Sequence, residues 1–516
     1  MKTSKQWVSL LAVIVMGQSA VMIQAAKSEL RHIGRAELLD KIKGGWAGQM
    51  IGVSYGAPTE FRAQGKIFDA ELKWAPDRVE NSIHQDDLYV EMTFARVMDT
   101  VGLNATSEQY GEAFKNSKYG LWHANAAARR NLNRGIKAPM SGHPLYNIHA
   151  NDIDFQIEAD FIGLMSPGLP RYSNLYCDRV GRVMNYGDGV YGGMFVCGMY
   201  SAAYFESDPR KVVEAGLACI PSQSSYAALI RDLLEFSAKN PEDWRKVWQM
   251  IQEKWDKDDV CPDGAMQPFN IDAKLNGAYI AFGLVYGKAD FGKTMEIATR
   301  CGQDSDCNPS SAAGVLGVML GYSNIPDFYK SGVDKIADTK FEYTDYSFKD
   351  IVKSTEDRAL ALIAKAGGKI TETDVTFPTQ TPRSPKFEQW NPGRPYKNVN
   401  IQDASWTWQG NWQDEKNTKV AISSGSEVTL RFEGVAIAIM GQLSQEGGRA
   451  NVYLDGRKVN FLDTYIVPNT FDSVLWHTYG LKPGKHTLRI VLREDADERS
   501  KGRKVTIQQA VLYRAD

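Results

Sequence analysis

The stretch KGGWAGQMIGVSYGAPTEF (43–61) repeats glycine at every fourth position: Gly44, Gly48, Gly52 and Gly56. On an α-helix that spacing sets all four in one row along a single face. Each helical glycine costs roughly 1 kcal/mol relative to alanine. A row of four therefore calls for a compensating contact, and another backbone lying directly against the row is the usual one. A second small-residue row, Ala313, Gly317 and Gly321, follows in SSAAGVLGVMLGY. The two rows predict a helical core in which two helices meet backbone to backbone.

The rest of the chain fits a helical body followed by something else. From about 34 to 368 apolar residues recur at three and four, as in LYVEMTFARVMD, SYAALIRDLLEFSAK and DWRKVWQMIQEKW, the period of amphipathic helices. Ser207-Asp208-Pro209 and Asn240-Pro241-Glu242-Asp243 read as helix starts, with proline at or near the first helical position. Five prolines then fall between Pro378 and Pro395, the composition of a stiff extended connector. After it strict alternation takes over, in VTLRFEG, VAIAIMG, RANVYLDGRKV and HTLRIVL, with a hairpin signal at Asp455-Gly456 and a turn at Lys482-Pro483-Gly484. The expected fold class is a multi-domain α + β chain: an all-α domain over 27–370, a linker over 371–396, and an antiparallel β-sandwich over 397–516.

The first 26 residues stand apart. Lys2 and Lys5 precede an apolar run, and Gln24-Ala25-Ala26 offers a cleavage site, so 1–26 reads as a secretory signal peptide; an uncleaved membrane anchor is the alternative. Export to the periplasm or the extracellular space is expected, with no membrane association after cleavage. A formal net charge of -2, from 60 basic and 62 acidic side chains, with no basic stripe, argues against nucleic acid. No protein partner is indicated. Six cysteines are too scattered for a disulfide scaffold, and seven histidines show no zinc-type spacing, which disfavours zinc.

Asp304 and Asp306 immediately precede the second small-residue helix, in CGQDSDCNPSSAAG, and Asp86 and Asp87 stand at the start of another, in HQDDLYVEM. One aspartate at a helix start is ordinarily a cap. Two pairs, at two helix mouths, suit a hard divalent cation bound through oxygen; without one they would repel and hold raised pKa values. Glu60 follows the first glycine row after Gly-Ala-Pro; alone it reads as a surface carboxylate on a turn.

Together the segments GVSYGAPTE (52–60), QDDL (85–88) and CGQDSDCNPSSAAGVLG (301–317) resemble the ADP-ribosylglycohydrolase family. The resemblance spans about 34–368. It implies a nearly all-helical domain that holds Mg²⁺ (or Mn²⁺), one or two ions, in a cleft, where metal-bound ribose hydroxyls orient a substrate cut at C1. By position it makes Asp86, Asp87, Asp304 and Asp306 metal ligands, with Gln85 a further one. It makes Glu60 and Asp87 catalytic, Glu60 as the acidic residue acting on substrate or water. Three positions depart from the family pattern: Val53 replaces an aspartate, and Gln85 and Cys307 replace hydroxyl residues. A thiol is a poor partner for Mg²⁺, so a single or weakened second metal is the consequence.

Other candidates are less marked. His84, beside the aspartate pair, and Asp188-Gly189, in the glycine-rich MNYGDGVYGGMF, are expected at the substrate, although a capping histidine and tight helix packing explain them equally. SPGLPRY (166–172), Trp46 and Tyr89 are further cleft candidates against a core-packing reading. The C-terminal module resembles carbohydrate-binding or galactose-binding-like jelly rolls, where Trp406, Trp408 and Trp412 either stack on sugars or pack the sandwich. An exported member would meet a small-molecule or glycan substrate, and a furanoside fits the vicinal-hydroxyl requirement. The expectation is a metal-dependent hydrolase of an ADP-ribosyl or related furanosyl linkage. The alternatives are a non-catalytic sugar- or ADP-ribose-binding protein, and a structural protein binding Ca²⁺ at the aspartates.

Overall fold

The computed structural model describes residues 29–256 and 259–515. The 1–26 leader lies outside them. No helix among the described residues is long and apolar enough to cross a membrane.

Among the described residues, seventeen α-helices build the first body. Its two central members are helix Arg35–Gly56 and helix Cys307–Leu320, which run against each other along their small-residue rows. A β-carbon on Gly44, Gly48, Gly52 or Gly56 would collide with the carbonyl oxygen of Gly317, Ala313, Pro309 or Ser305 respectively. The complementary row is thus Ser305, Pro309, Ala313 and Gly317, again every fourth residue. Gly321 is not part of it: it follows the helix end with φ of 80°, beside the Asp40 carboxylate.

Helix starts follow local chemistry. Asp208 caps helix Pro209–Leu217 by accepting from the Arg210 amide, with proline in the first position. Helix Trp244–Trp255 begins later than its proline suggests: Asp243 is the cap, accepting from the Lys246 amide, and Pro241 stays outside. A feature with no local signal closes the body. Strand Leu30–Gly34 pairs antiparallel with Asp374–Pro378, which also pairs with Lys369–Ile370.

The proline-rich segment from Thr379 to Gly393 has no regular secondary structure and is fastened to the helices. Arg171 Nε donates to the Thr381 carbonyl (2.8 Å), Arg182 meets Glu388 (3.0 Å), and Trp390 Nε1 donates to Asn151 Oδ1 (2.9 Å).

Two antiparallel sheets form the second body. One runs in the order Arg457–Asp463, Arg449–Leu454, Gly484–Leu492, Glu427–Gly434, Trp406–Gln409. The other runs Thr470–Thr478, Ala436–Leu443, Val505–Arg514, Thr418–Ala421, Trp412–Glu415, with Arg394–Asn400 also on Val505–Arg514. The hairpin at Asp455-Gly456 has both residues at positive φ (49° and 79°), as a two-residue type I′ turn demands. Strand Ala436–Leu443 is buried on both faces, which accounts for its unbroken apolar run. Ile437 and Ile439 enter the sandwich core, whereas Ala436, Ala438 and Met440 pack with Val511 and Tyr513 against Ile148 and Ala265 of the helical body. Tyr513 Oη donates to the Val260 carbonyl (3.0 Å), and His477 Nε2 donates to that of Pro144 (2.7 Å).

Trp46 and Trp406 are core residues. Trp46 is fully buried and donates to Thr355 Oγ1 (3.0 Å). Trp406 is buried in the sandwich, with Trp408 stacked on it at 5.2 Å and Trp412 edge-on to Trp408 at 4.8 Å.

Candidate active site

The glycine row sets the distance between the two central helices, and that distance delivers the site. Just past Gly56 the chain turns through Ala57–Thr59 and places Glu60 beside the loop that opens helix Cys307–Leu320. The two segments are stitched together: Phe61 N–H donates to the Gln303 carbonyl (3.0 Å), Gln303 N–H to that of Ala63 (2.9 Å), and the Thr59 and Ser305 hydroxyls bond at 2.7 Å. Helix Asp86–Val101 points its N-terminus at the same place, with Gln85 at its cap position. Three chain segments far apart in sequence thus bring Glu60, Asp86, Asp87, Asp304 and Asp306 together.

Glu60, Asp86 and Asp304 line a cavity of about 630 Å³, whose wall also includes Gln85, Cys307, His123, Asp154, Asp263 and Phe269, while Asp87 and Asp306 are buried beside them. Asp87, Asp304 and Asp306 are almost wholly buried. Potential ligand atoms of Asp86, Asp87 and Cys307 lie within 4.8 Å of one another, as do those of Asp304, Asp306 and Cys307, so the Cys307 thiol is common to both groups.

Burial and mutual repulsion dominate the electrostatics. Desolvation, then the charges of Asp306 and Asp86, push Glu60 up to about 8. Desolvation, then Asp306, push Asp86 up to about 6. Asp87 and Asp304 are driven well above the usual carboxylate range by burial and their neighbours, and burial raises Asp306 too, partly offset by its hydrogen bond with Asp304. Two buried oxygens, Asp87 Oδ1 and Asp306 Oδ1, have no hydrogen-bond partner among the described residues. Buried oxygens of this kind, in a pocket of repelling carboxylates, fit a hard divalent cation; the thiol is the one donor of the set that does not.

The remaining candidates divide. His84 lies on the cavity rim, half-exposed and paired with Glu342 at 3.1 Å. Tyr89 lines the wall and packs on Tyr119 and Tyr343. Asp188 does not reach this cavity. It faces a separate one lined by Ser225, Trp255 and Trp390, and it accepts from Ser225 Oγ and the Tyr226 amide at the start of helix Ser225–Lys239. Gly189 is packed against the Ala150 carbonyl and Asn185, where no side chain fits; tight packing accounts for it. Segment 166–172 also lies away from the cavity: Ser166 accepts from Ser201 Oγ through its carbonyl, and Arg171 is bound to the connector.

Several wall residues carry no helix-mouth signature and went unread in the sequence: His123, Asn125, Asp154 and Asp263. Asp154 caps helix His123–Asn133 through the Ala124 and Asn125 amides (3.3 and 2.9 Å), and Asn125 Nδ2 donates to buried Glu158. The readable signal was carboxylates set among apolar residues in DIDFQIEADF (152–161), an arrangement that burial makes expensive unless a site uses it.

Two curated proteins of Flavonifractor plautii are each 29% identical to part of the chain. The A type blood N-acetyl-alpha-D-galactosamine deacetylase matches over 172 residues, 32% of this chain and 21% of its own length. The A type blood alpha-D-galactosamine galactosaminidase matches over 103 residues, 19% and 10%. The chain thus spans about a fifth or less of these relatives. Among solved structures, an ADP-ribosylglycohydrolase-related protein complex aligns over 63% of this chain and 98% of that one, with 15% identity and a TM-score of 0.40. The ADP-ribosylglycohydrolase family model matches residues 34–365, from the first turn of the helical body through its last helix, and the chain belongs to that family.

Proposed function

We propose that this protein is a metal-dependent hydrolase of glycosidic bonds, acting on an ADP-ribosyl or related furanosyl linkage in a small molecule or glycan. The observation that carries the reading is the meeting of Glu60, Asp86 and Asp304 at one cavity, with Asp87 and Asp306 buried beside them and their Oδ1 atoms unpartnered among the described residues. Family membership and the enzymes named among its distant relatives support hydrolysis of a glycosyl-type substrate.

In this reading Asp86, Asp87, Asp304 and Asp306, with Gln85, would hold one or two Mg²⁺ or Mn²⁺ ions. Such an ion supplies Lewis acidity and a template for vicinal sugar hydroxyls. Glu60, at the cavity wall, exchanges a proton with water or the leaving group; its affinity for a proton near neutral pH suits that task. Tyr89 and Phe269 supply flat apolar wall against which a sugar or base ring can lie. A leader peptide at 1–26 would place the activity outside the cytoplasm.

A specific observation favours a second reading, a sugar- or ADP-ribose-binding protein without turnover: the Cys307 thiol stands within reach of both aspartate pairs, where a hydroxyl would serve Mg²⁺ better. Incubation of the protein and Mg²⁺, Mn²⁺ or Ca²⁺ with furanosides, ADP-ribose derivatives and ADP-ribosylated peptide separates the two. Metal-dependent release of a free reducing sugar supports the hydrolase; saturable binding of the same compounds with no release supports the binding protein.

A further inference from the structure

His123 and Asp263, which line the same cavity, belong to a second set of donors, of different chemistry. His123 Nδ1 faces Asp263 Oδ2 at 3.1 Å and Asp152 Oδ2 at 3.9 Å. His149 Nδ1 faces the same Asp152 oxygen at 2.9 Å and Cys261 Sγ at 3.4 Å. Ligand atoms of His123, His149, Cys261 and Asp263 all lie within 4.8 Å of one another. Tetrahedral zinc, with bonds of roughly 2.0–2.3 Å, holds its ligand atoms about 3.3–3.8 Å apart, so the set is already near the needed spacing.

Hydrogen bonding among these groups leaves them incompletely satisfied. The His149 nitrogen can donate a single proton, yet it meets both a carboxylate and a thiol. Asp152 is wholly buried, and its Oδ1 has no hydrogen-bond partner among the described residues. Cys261 is fully buried, and burial, then the charges of Asp152, Asp263 and Asp259, drive its thiol well above the ordinary range, the opposite of what a nucleophile needs. Arg130 is close enough for its charge to act on Asp263. The loop bearing the thiol is itself held: Asp259 accepts from the Cys261 and Ile271 amides (2.8 and 3.2 Å).

We propose that His123, His149, Cys261 and Asp263, with Asp152 alongside, form a second metal site of zinc type, distinct from the carboxylate centre. Two imidazoles and a thiolate select a borderline ion such as Zn²⁺ over Mg²⁺. His149, Cys261 and Asp152 would grip it from the interior. His123 and Asp263 line the cavity, so the site borders it; with four protein donors a tetrahedral ion is fully coordinated, as in a structural zinc site. The site stands whether or not the hydrolase reading does, because it is tested by metal content.

The experiment takes the full chain, untagged, dialysed against Zn²⁺ in a Mg²⁺ background, with metal measured by mass spectrometry and a parallel Co²⁺ form examined by absorption. The expected result is about one retained zinc per chain and a thiolate-to-cobalt charge-transfer band. Cys261→Ser abolishes the band and Cys307→Ser leaves it. His149→Ala or the more exposed Asp263→Asn weakens zinc by at least about tenfold to a hundredfold, with folding checked by circular dichroism. Asp304→Asn keeps the zinc. Failure of wild type to retain zinc, survival of the band in Cys261→Ser, or loss of zinc in Asp304→Asn would overturn the proposal.

Discussion

Glu60 and the aspartates pay for their proximity in protons. In the metal-free protein the Glu60 carboxyl titrates near 8, against 4.5 for an ordinary glutamate. Between those values the folded state holds a proton that the unfolded chain has released, so stability falls as pH rises through that window. Relative to Glu60→Gln, the metal-free wild type should lose thermal stability from about pH 4.5 to about 8, and added Mg²⁺ should restore it, more so at the alkaline end; parallel melts across that range check this. Asp304→Asn and Asp306→Asn should behave differently from ordinary core lesions. Each removes a repelling charge, so the metal-free protein should melt no lower than wild type, while metal affinity and turnover fall by about a hundredfold or more. Calorimetric Mg²⁺ titration beside the activity assay separates that outcome from unfolding.

At the scale of elements, the close approach of helices Arg35–Gly56 and Cys307–Leu320 is the geometric foundation of the cavity. Alanine is about 1 kcal/mol better than glycine in a helix, yet Gly48→Ala would drive a methyl into the Ala313 carbonyl. A net loss of about 1–3 kcal/mol in urea unfolding is therefore expected, together with a larger fall in activity as Glu60 moves from Asp306. These elements were legible because a fourfold glycine repeat and carboxylates at helix starts are local patterns. Strand Leu30–Gly34 was not, since its partner Asp374–Pro378 lies at the far end of the helical body and five residues carry little period of their own. Asp188 misled for the same reason that Asp304 did not. Both precede small-residue helices, and only the three-dimensional path tells which helix mouth opens on the cavity. The His123–Cys261 cluster left no spacing to read, as its donors are spread over 140 residues.

For the whole molecule, the decisive contact is the apolar seam where Ala436, Ala438, Met440, Val511 and Tyr513 lie on Ile148 and Ala265. A seam of this kind couples the melting of its two sides. Scanning calorimetry should record one transition in the wild type. Met440→Asp, which buries a charge in the seam while leaving both inner cores intact, should split it into two. The doubly buried strand Ala436–Leu443 also explains why the module could be read as a sandwich but not oriented: both of its faces are apolar, so alternation identifies neither as solvent-facing.

Strand Leu30–Gly34 opens the helical body and strand Asp374–Pro378 ends it, and Leu30 stands opposite Pro378 in register. Entry and exit of the body are therefore one inter-strand spacing, about 5 Å, apart. Ends that adjoin in this way let the body be spliced into a surface loop of a host, or cut and rejoined elsewhere along its chain, without stretching the backbone that shapes it.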